Sequence, residues 1–178
     1  MAIIKKPTMG FSESIETCLK KYITFSGRAR RSEYWLFWLF YIPVFIVLYI
    51  LENLLFHILY SPIYHEYSLS YEVILLIPSV IFLLLFIPSL AAEARRFHDI
   101  GYSGYWVLLT PLANALCKSS SILLEIIGII IGIASIVLLC QDSQPATNAY
   151  GPSPKYVNED DENNQKGMPR SDEAVIEN

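Results

Sequence analysis

Two arginines, a histidine and an aspartate crowd the start of RRFHDIGYSGYW, residues 95 to 106, directly after a long run of Leu, Ile and Phe. A second basic stretch, GRARRSEYW from Gly27 to Trp35, adds Arg28, Arg30 and Arg31 beside Glu33. These residue types support three chemistries. Guanidinium forks match phosphate oxygens bidentately, so Arg28, Arg30, Arg31, Arg95 and Arg96, with His98, form a candidate lipid or phosphate headgroup site. His98 can serve as a general base oriented by Asp99, acting on a headgroup held there. Alternatively the carboxylates Glu33, Glu93 and Asp99 pair with arginines and fix helix order at the membrane boundary. The pairing reading leads. On a helix Arg95 and Asp99 lie four residues apart and can pair, while Arg96 and His98 project elsewhere. Neighbouring side chains point about 100° apart, which leaves Asp99 poorly placed to orient His98. No residue is assigned as catalytic, and the balance leans away from an enzyme.

The elements that must position these groups are apolar blocks. Hydrophobic residues make up 53% of the chain and charged residues 17%, too apolar for an ordinary soluble domain. Residues 34 to 51 contain no charge across 18 positions, residues 73 to 92 none across 20, and residues 122 to 140 only Glu125 across 19. Twenty helical residues reach roughly 30 Å, the thickness of a hydrocarbon core. All three blocks read as transmembrane helices. Residues 105 to 117 are short for a span and contain Pro111 and Asn114, so a re-entrant segment is the competing reading; counting from Gly101 lengthens the block to 17.

Seven Lys and Arg residues precede the first block, none lies between 52 and 72, and Arg95 and Arg96 follow the second. The positive-inside rule then sets the N-terminus in the cytoplasm, the 52 to 72 loop outside and the Arg95 loop inside. A span over 101 to 117 returns the C-terminus to the cytoplasm. The fold class expected is an all-α integral membrane protein with four transmembrane helices preceded by an amphipathic interfacial helix. The start, MAIIKKPTMG, lacks the apolar region and cleavage site of a signal peptide. Cys18 and Cys140 face the reducing side on this topology and Cys117 the outside, so no structural disulfide is expected.

Residues 1 to 10 read as an N-terminal arm and residues 11 to 26 as the interfacial helix. In the latter, Phe11, Ile15, Cys18, Leu19, Tyr22 and Phe25 form one stripe, with Ser12 as cap. Such a helix either lies on the cytoplasmic leaflet or docks on its own bundle. The outer loop carries His57, His65 and Glu66, but no spacing resembles a metal motif, and neither metal nor cofactor is expected. On the last helix Gly128, Gly132 and Ser135 form a small-residue packing face, within the chain or between two copies. The tail, 141 to 178, is polar and acidic and reads as disordered beyond about Tyr156.

Three stretches together, YITFSGRARRSEYWLFWLF (22 to 40), RRFHDIGYSGYW and NAYGPSPK (148 to 155), resemble the domain of unknown function 805 family of small bacterial inner-membrane proteins. The likeness covers roughly residues 11 to 155 and implies a compact helical membrane protein without catalytic residues or substrate to carry over. The family usually shows Leu, Thr, a polar residue and Trp where Phe97, Ile100, Tyr102 and Tyr105 stand, so this segment is more apolar than its relatives. The partners expected are the bilayer, including anionic lipids, and a second copy or another membrane protein; no nucleic acid is expected. A membrane enzyme using His98 and Asp99 is one alternative. A small transporter or oligomeric pore is another, although a transporter would show midplane ionisable residues and an internal repeat.

Overall fold

The computed structural model describes residues 3–59 and 68–158. The His65–Glu66 pair of the expected outer loop and the tail beyond residue 158 lie outside that range. The chain runs β1 (Ile3–Lys5), α1 (Phe11–Lys20), α2 (Arg31–Leu59), α3 (Ser68–Asp99), a 3-10 turn (Gly104–Leu108), α4 (Leu109–Cys117), α5 (Ile122–Cys140) and β2 (Tyr156–Asn158). The architecture is mostly helical. By length and composition Arg31–Leu54 and Ile122–Cys140 are able to cross a bilayer, and Gly104–Cys117 is a shorter apolar segment. The 3-10 turn and α4 together extend only about 24 Å, less than the single helix expected over 101 to 117.

Burial is polarised along the molecule. Every residue from Ala91 to Ile100 is buried, and the apolar core gathers Cys18, Tyr34, Phe37, Ala92, Phe97, Ile100 and Leu139. This core sits where α2 begins and α1, α3 and α5 end. Away from it the helices stay apolar but uncovered: Leu83 is 59% exposed and Ile130 60%. A helix that is hydrophobic on all sides requires an apolar surrounding, and the described residues do not supply it here.

Helices α2 and α3 pack along each other, as do α4 and α5, while the two pairs touch far less. Gly128 explains the second hairpin: a Cβ there would lie 2.9 Å from the Ala113 carbonyl oxygen, the Cys117 amide nitrogen and the Cys117 Sγ. The small face of α5 is therefore filled at Gly128 by α4 of the same chain. Gly132 is looser, its nearest neighbour being the Ala113 Cβ at 3.9 Å. Ser135 is buried and donates to the Ile131 carbonyl of its own helix.

Three local expectations are corrected. Helix α1 ends at Lys20 rather than near residue 26, and its first turn is closed by the Gly10 N–H donating to the Glu13 carboxylate, with Ser12 already inside the helix. Its buried side chains are Ser14 and Cys18, and Phe11, Leu19 and Phe25 remain exposed. Residues 141 to 158 are folded back onto the helix ends, and β2 pairs antiparallel with β1, Ile4 opposite Val157. The turn after α3 follows expectation at Gly101, whose φ of +87° is left-handed. Gly104 serves space instead, since a Cβ there would come within 2.8 Å of His98 Nε2.

Gly128→Ala should overpack the α4–α5 contact and cost about 1–3 kcal/mol, whereas Gly132→Ala should be neutral or slightly stabilising through helix propensity. Thermal unfolding of the detergent-solubilised variants checks this contrast. Equal effects at the two positions would contradict the packing assignment.

Candidate functional site at the converging helix ends

The end of α3 presents charged side chains on every side of the helix, and each meets a different element. Asp99, fully buried, takes the Arg28 Nε on one oxygen at 3.0 Å and the Arg96 Nη1 on the other at 2.6 Å. Arg95 instead pairs with Glu33 of α2 at 3.1 Å. The expected Arg95–Asp99 pair does not form. An i,i+3 contact from Arg96, with Arg28 reaching in from the loop before α2, captures the aspartate first. Arg95 lies on the side of α3 that faces α1 and α2.

The arginines are also carbonyl clamps. Arg28 directs its Nη1 to the carbonyls of Ala146 and Gly151 and its Nη2 to those of Gln144 and Asp99. With the Nε bond, all of the guanidinium's N–H groups are engaged. Arg96 donates to the carbonyls of Leu139 and Gln141, where α5 ends and its four last carbonyls need partners. Arg95 donates to the carbonyls of Lys21 and Thr24, ordering the segment after α1, and its Nε has no hydrogen-bond partner among the described residues. Arg31 is exposed and bridges Asp142 and the Cys140 carbonyl; Arg30 donates to the Pro7 carbonyl. The five arginines therefore do not converge on one open anion site. Arg28, Arg95 and Arg96 are buried and committed to internal acceptors.

His98 is held by packing. Its ring stacks on Tyr150, centroids 3.7 Å apart at 5°, and its Nδ1 lies 3.1 Å from the Gly27 carbonyl, which makes Nδ1 the protonated nitrogen of the neutral ring. Burial pushes the His98 pKa below its ordinary value of 6.5, and the Gly27 carbonyl offsets this only partly. Asp99 is occupied by guanidiniums, so the His98–Asp99 dyad of the enzymatic reading is not assembled. Glu93, the third carboxylate of the expected network, is separate from it: it accepts from the Thr110 hydroxyl at 2.6 Å and has no ion-pair partner among the described residues.

Sequence reasoning missed the acceptors. Gln141, Gln144, Ala146 and Gly151 act through backbone carbonyls, which carry no residue signature. Asn148 donates to the His98 carbonyl and to Gln144, while Gln144 bonds the Asp99 and Ile100 carbonyls. Farther out, Asp142 is met by Lys155, the Tyr156 hydroxyl and the Ser143 amide. Desolvation opposes ionisation of Asp142, but Lys155 and these donors outweigh it and hold the pKa near about 2. Cys18, under α1, is pushed up to about 12 by burial, with the Glu33 carboxylate adding to it. Such a thiol is inert as a nucleophile.

Residues 22–152 match the family model described as "Protein of unknown function (DUF805)". The chain belongs to this family. Inner membrane protein YhaH of Escherichia coli (strain K12) is 35% identical over 137 residues, covering 77% of this chain and 92% of that protein. Inner membrane protein YhaI of the same organism is 32% identical over 139 residues, covering 78% and 92%. No solved structure matches. The matched DUF805 region takes in every arginine of the buried cluster, His98, and the 141–151 segment they hold. Its apolar helices and its relatives make this chain a membrane protein of that family.

Asp99→Ala leaves two buried guanidiniums without their carboxylate and should cost about 3–5 kcal/mol, while Arg31→Ala, which loses an exposed pair, should cost under about 1 kcal/mol. Chemical or thermal unfolding of both variants checks the ratio. His98 adds a pH signature. Its folded pKa lies below its unfolded value, so its contribution is present above pH 6.5 and is lost as the pH falls through the folded pKa. The melting temperature should drop on acidification below about pH 6.5, and His98→Phe should flatten that slope.

Proposed function

We propose that the chain is a non-enzymatic, multi-pass protein of the bacterial inner membrane, an accessory or interaction protein whose cytoplasmic face is a rigid cap rather than a catalytic or headgroup-clamping site. One observation carries this reading: the buried arginines spend their donors on Asp99, Glu33 and backbone carbonyls, and His98 is stacked and bonded, so this cluster leaves no set of groups among the described residues converging on a substrate position. Catalysis requires such a position within reach of nucleophile, base and stabilising donors.

The proposed topology has crossings over about 34–51, 73–92, 101–117 and 122–140, with both termini cytoplasmic. The antiparallel β1–β2 ladder supports an even number of crossings, because it requires residues 3 to 5 and 156 to 158 to share one side. Helix α1 lies on the cytoplasmic leaflet in this reading. Its exposed Phe11 and Leu19, with Ile23 and Phe25 just after it, favour that place, as does the exposed basic set of Lys5, Lys6 and Lys20. Anionic lipid is then drawn to these lysines and not to the arginines of the cluster.

Native mass spectrometry of the gently solubilised protein tests both halves. The wild type should retain anionic lipid, and a variant with Lys5, Lys6 and Lys20 all replaced by Ala should lose it while staying folded. If lipid instead departs from folded Arg95→Ala or Arg96→Ala and stays on the lysine variant, the arginine cluster is the headgroup site. A reporter fused after Asn178 should read cytoplasmic; an external reading removes one crossing.

A further inference from the structure

A cleft lies between α2 and the α4–α5 pair. It has a volume of about 400 Å³ and is walled by Tyr34, Trp35 and Trp38 on one side and by Thr110, Asn114 and Ser135 on the other, with isoleucines of α5 between. That volume falls within the range of small-molecule sites, about 300–1,000 Å³, which are mostly apolar with a few placed polar groups. No Lys or Arg lines it among the described residues.

Charge reaches this cleft only from behind its lining: Arg96, already paired with Asp99, donates to the carbonyl of the lining residue Leu139. Glu93 stands directly behind the lining residue Thr110, its carboxylate accepting from the threonine hydroxyl at 2.6 Å, and its side chain is buried at 5% residual exposure. Every other buried carboxylate of the cluster has an arginine: Glu33 has Arg95, and Asp99 has Arg28 and Arg96. Glu93 alone of these has none among the described residues, and burial pushes its pKa up to about 7, so a cation placed nearby would favour its charged form. Trp35 and Trp38 add aromatic faces, which attract cations through their quadrupoles. We propose that the cleft binds a lipophilic organic cation, whose positive charge compensates Glu93 and whose apolar body fills the space between the tryptophans and α5. Anions of the same shape are rejected, because nothing in the lining neutralises them and the carboxylate repels them.

The test uses the full chain in nanodiscs of zwitterionic lipid, with tetraphenylphosphonium as probe and tetraphenylborate as its anionic counterpart of similar shape. Equilibrium dialysis should show saturable uptake of the cation above that of empty nanodiscs, no saturable uptake of the borate, and at least about tenfold weaker cation binding by Glu93→Gln. The amide keeps the shape of the carboxyl and an oxygen for Thr110. A second readout does not depend on that variant folding. Trp106→Phe leaves Trp35 and Trp38 as the only tryptophans, and (4-bromophenyl)triphenylphosphonium should quench their fluorescence saturably, in competition with tetraphenylphosphonium. Partition equal to that of empty nanodiscs, saturable borate uptake, undiminished binding by folded Glu93→Gln, or quenching that rises linearly without saturating would each overturn the proposal.

Discussion

A single carboxylate held between two guanidiniums organises this molecule. Asp99 is fully buried with Arg28 on one oxygen and Arg96 on the other. Burying three charges is costly, and the attraction among them repays it only when the remaining donors are also satisfied. That requirement explains the surrounding chain. Arg28 reaches for the carbonyls of the 144–151 segment and Arg96 for those at the end of α5. The ion cluster is thus the reason that a polar segment after the last helix is folded at all. It also joins two helical hairpins that otherwise share little contact.

The division of labour between solvents follows. Away from the capped end, α2, α5 and the middle of α3 present many apolar side chains that the described residues leave exposed, among them Val47, Leu83 and Ile130. With lipid on the outside there is little hydrophobic drive to bring helices together, so packing rests on small residues and polar contacts. Gly128 supplies the first, letting the backbone of α4 close onto α5. The arginine cluster supplies the second. It is placed at the helix ends, where water is near enough to admit the exposed Arg31–Asp142 pair beside the buried one.

The apolar blocks were legible in the sequence as helices, since 34 to 51, 73 to 92 and 122 to 140 all fall within α2, α3 and α5, although α2 and α3 run up to eight residues past the uncharged limits. The convergence of the two arginine stretches was legible too, from charge and topology alone. The pairing was not. Arg95 and Asp99 satisfy the i,i+4 rule, but that rule describes an isolated helix, and here Glu33 and Arg28 arrive from other elements to redirect both partners. What orders the segment from Gln141 to Tyr156 was not legible for a related reason: the groups that hold it are backbone carbonyls facing arginines more than 40 residues away in sequence. The one local signal was NAYGPSPK, whose Asn148, Tyr150 and Gly151 all turn out to contact the cluster. Helix α1 shows the same limit, since its periodicity marked an apolar stripe while the residues that dock are Ser14 and Cys18, small enough for Ser14 to reach the Glu33 carbonyl at 2.6 Å.

Backbone hydrogen exchange, read by mass spectrometry on the nanodisc-embedded wild type and Asp99→Asn, tests the organising role of this carboxylate most directly. The account expects amides of the 141–151 segment, such as Gln144 and Gly151, which are bonded in the wild type, to lose protection in the variant while the α4–α5 hairpin keeps its own. Unchanged protection across 141–151 in a folded Asp99→Asn protein would contradict it, and would mean that the segment is held independently of the buried ion cluster.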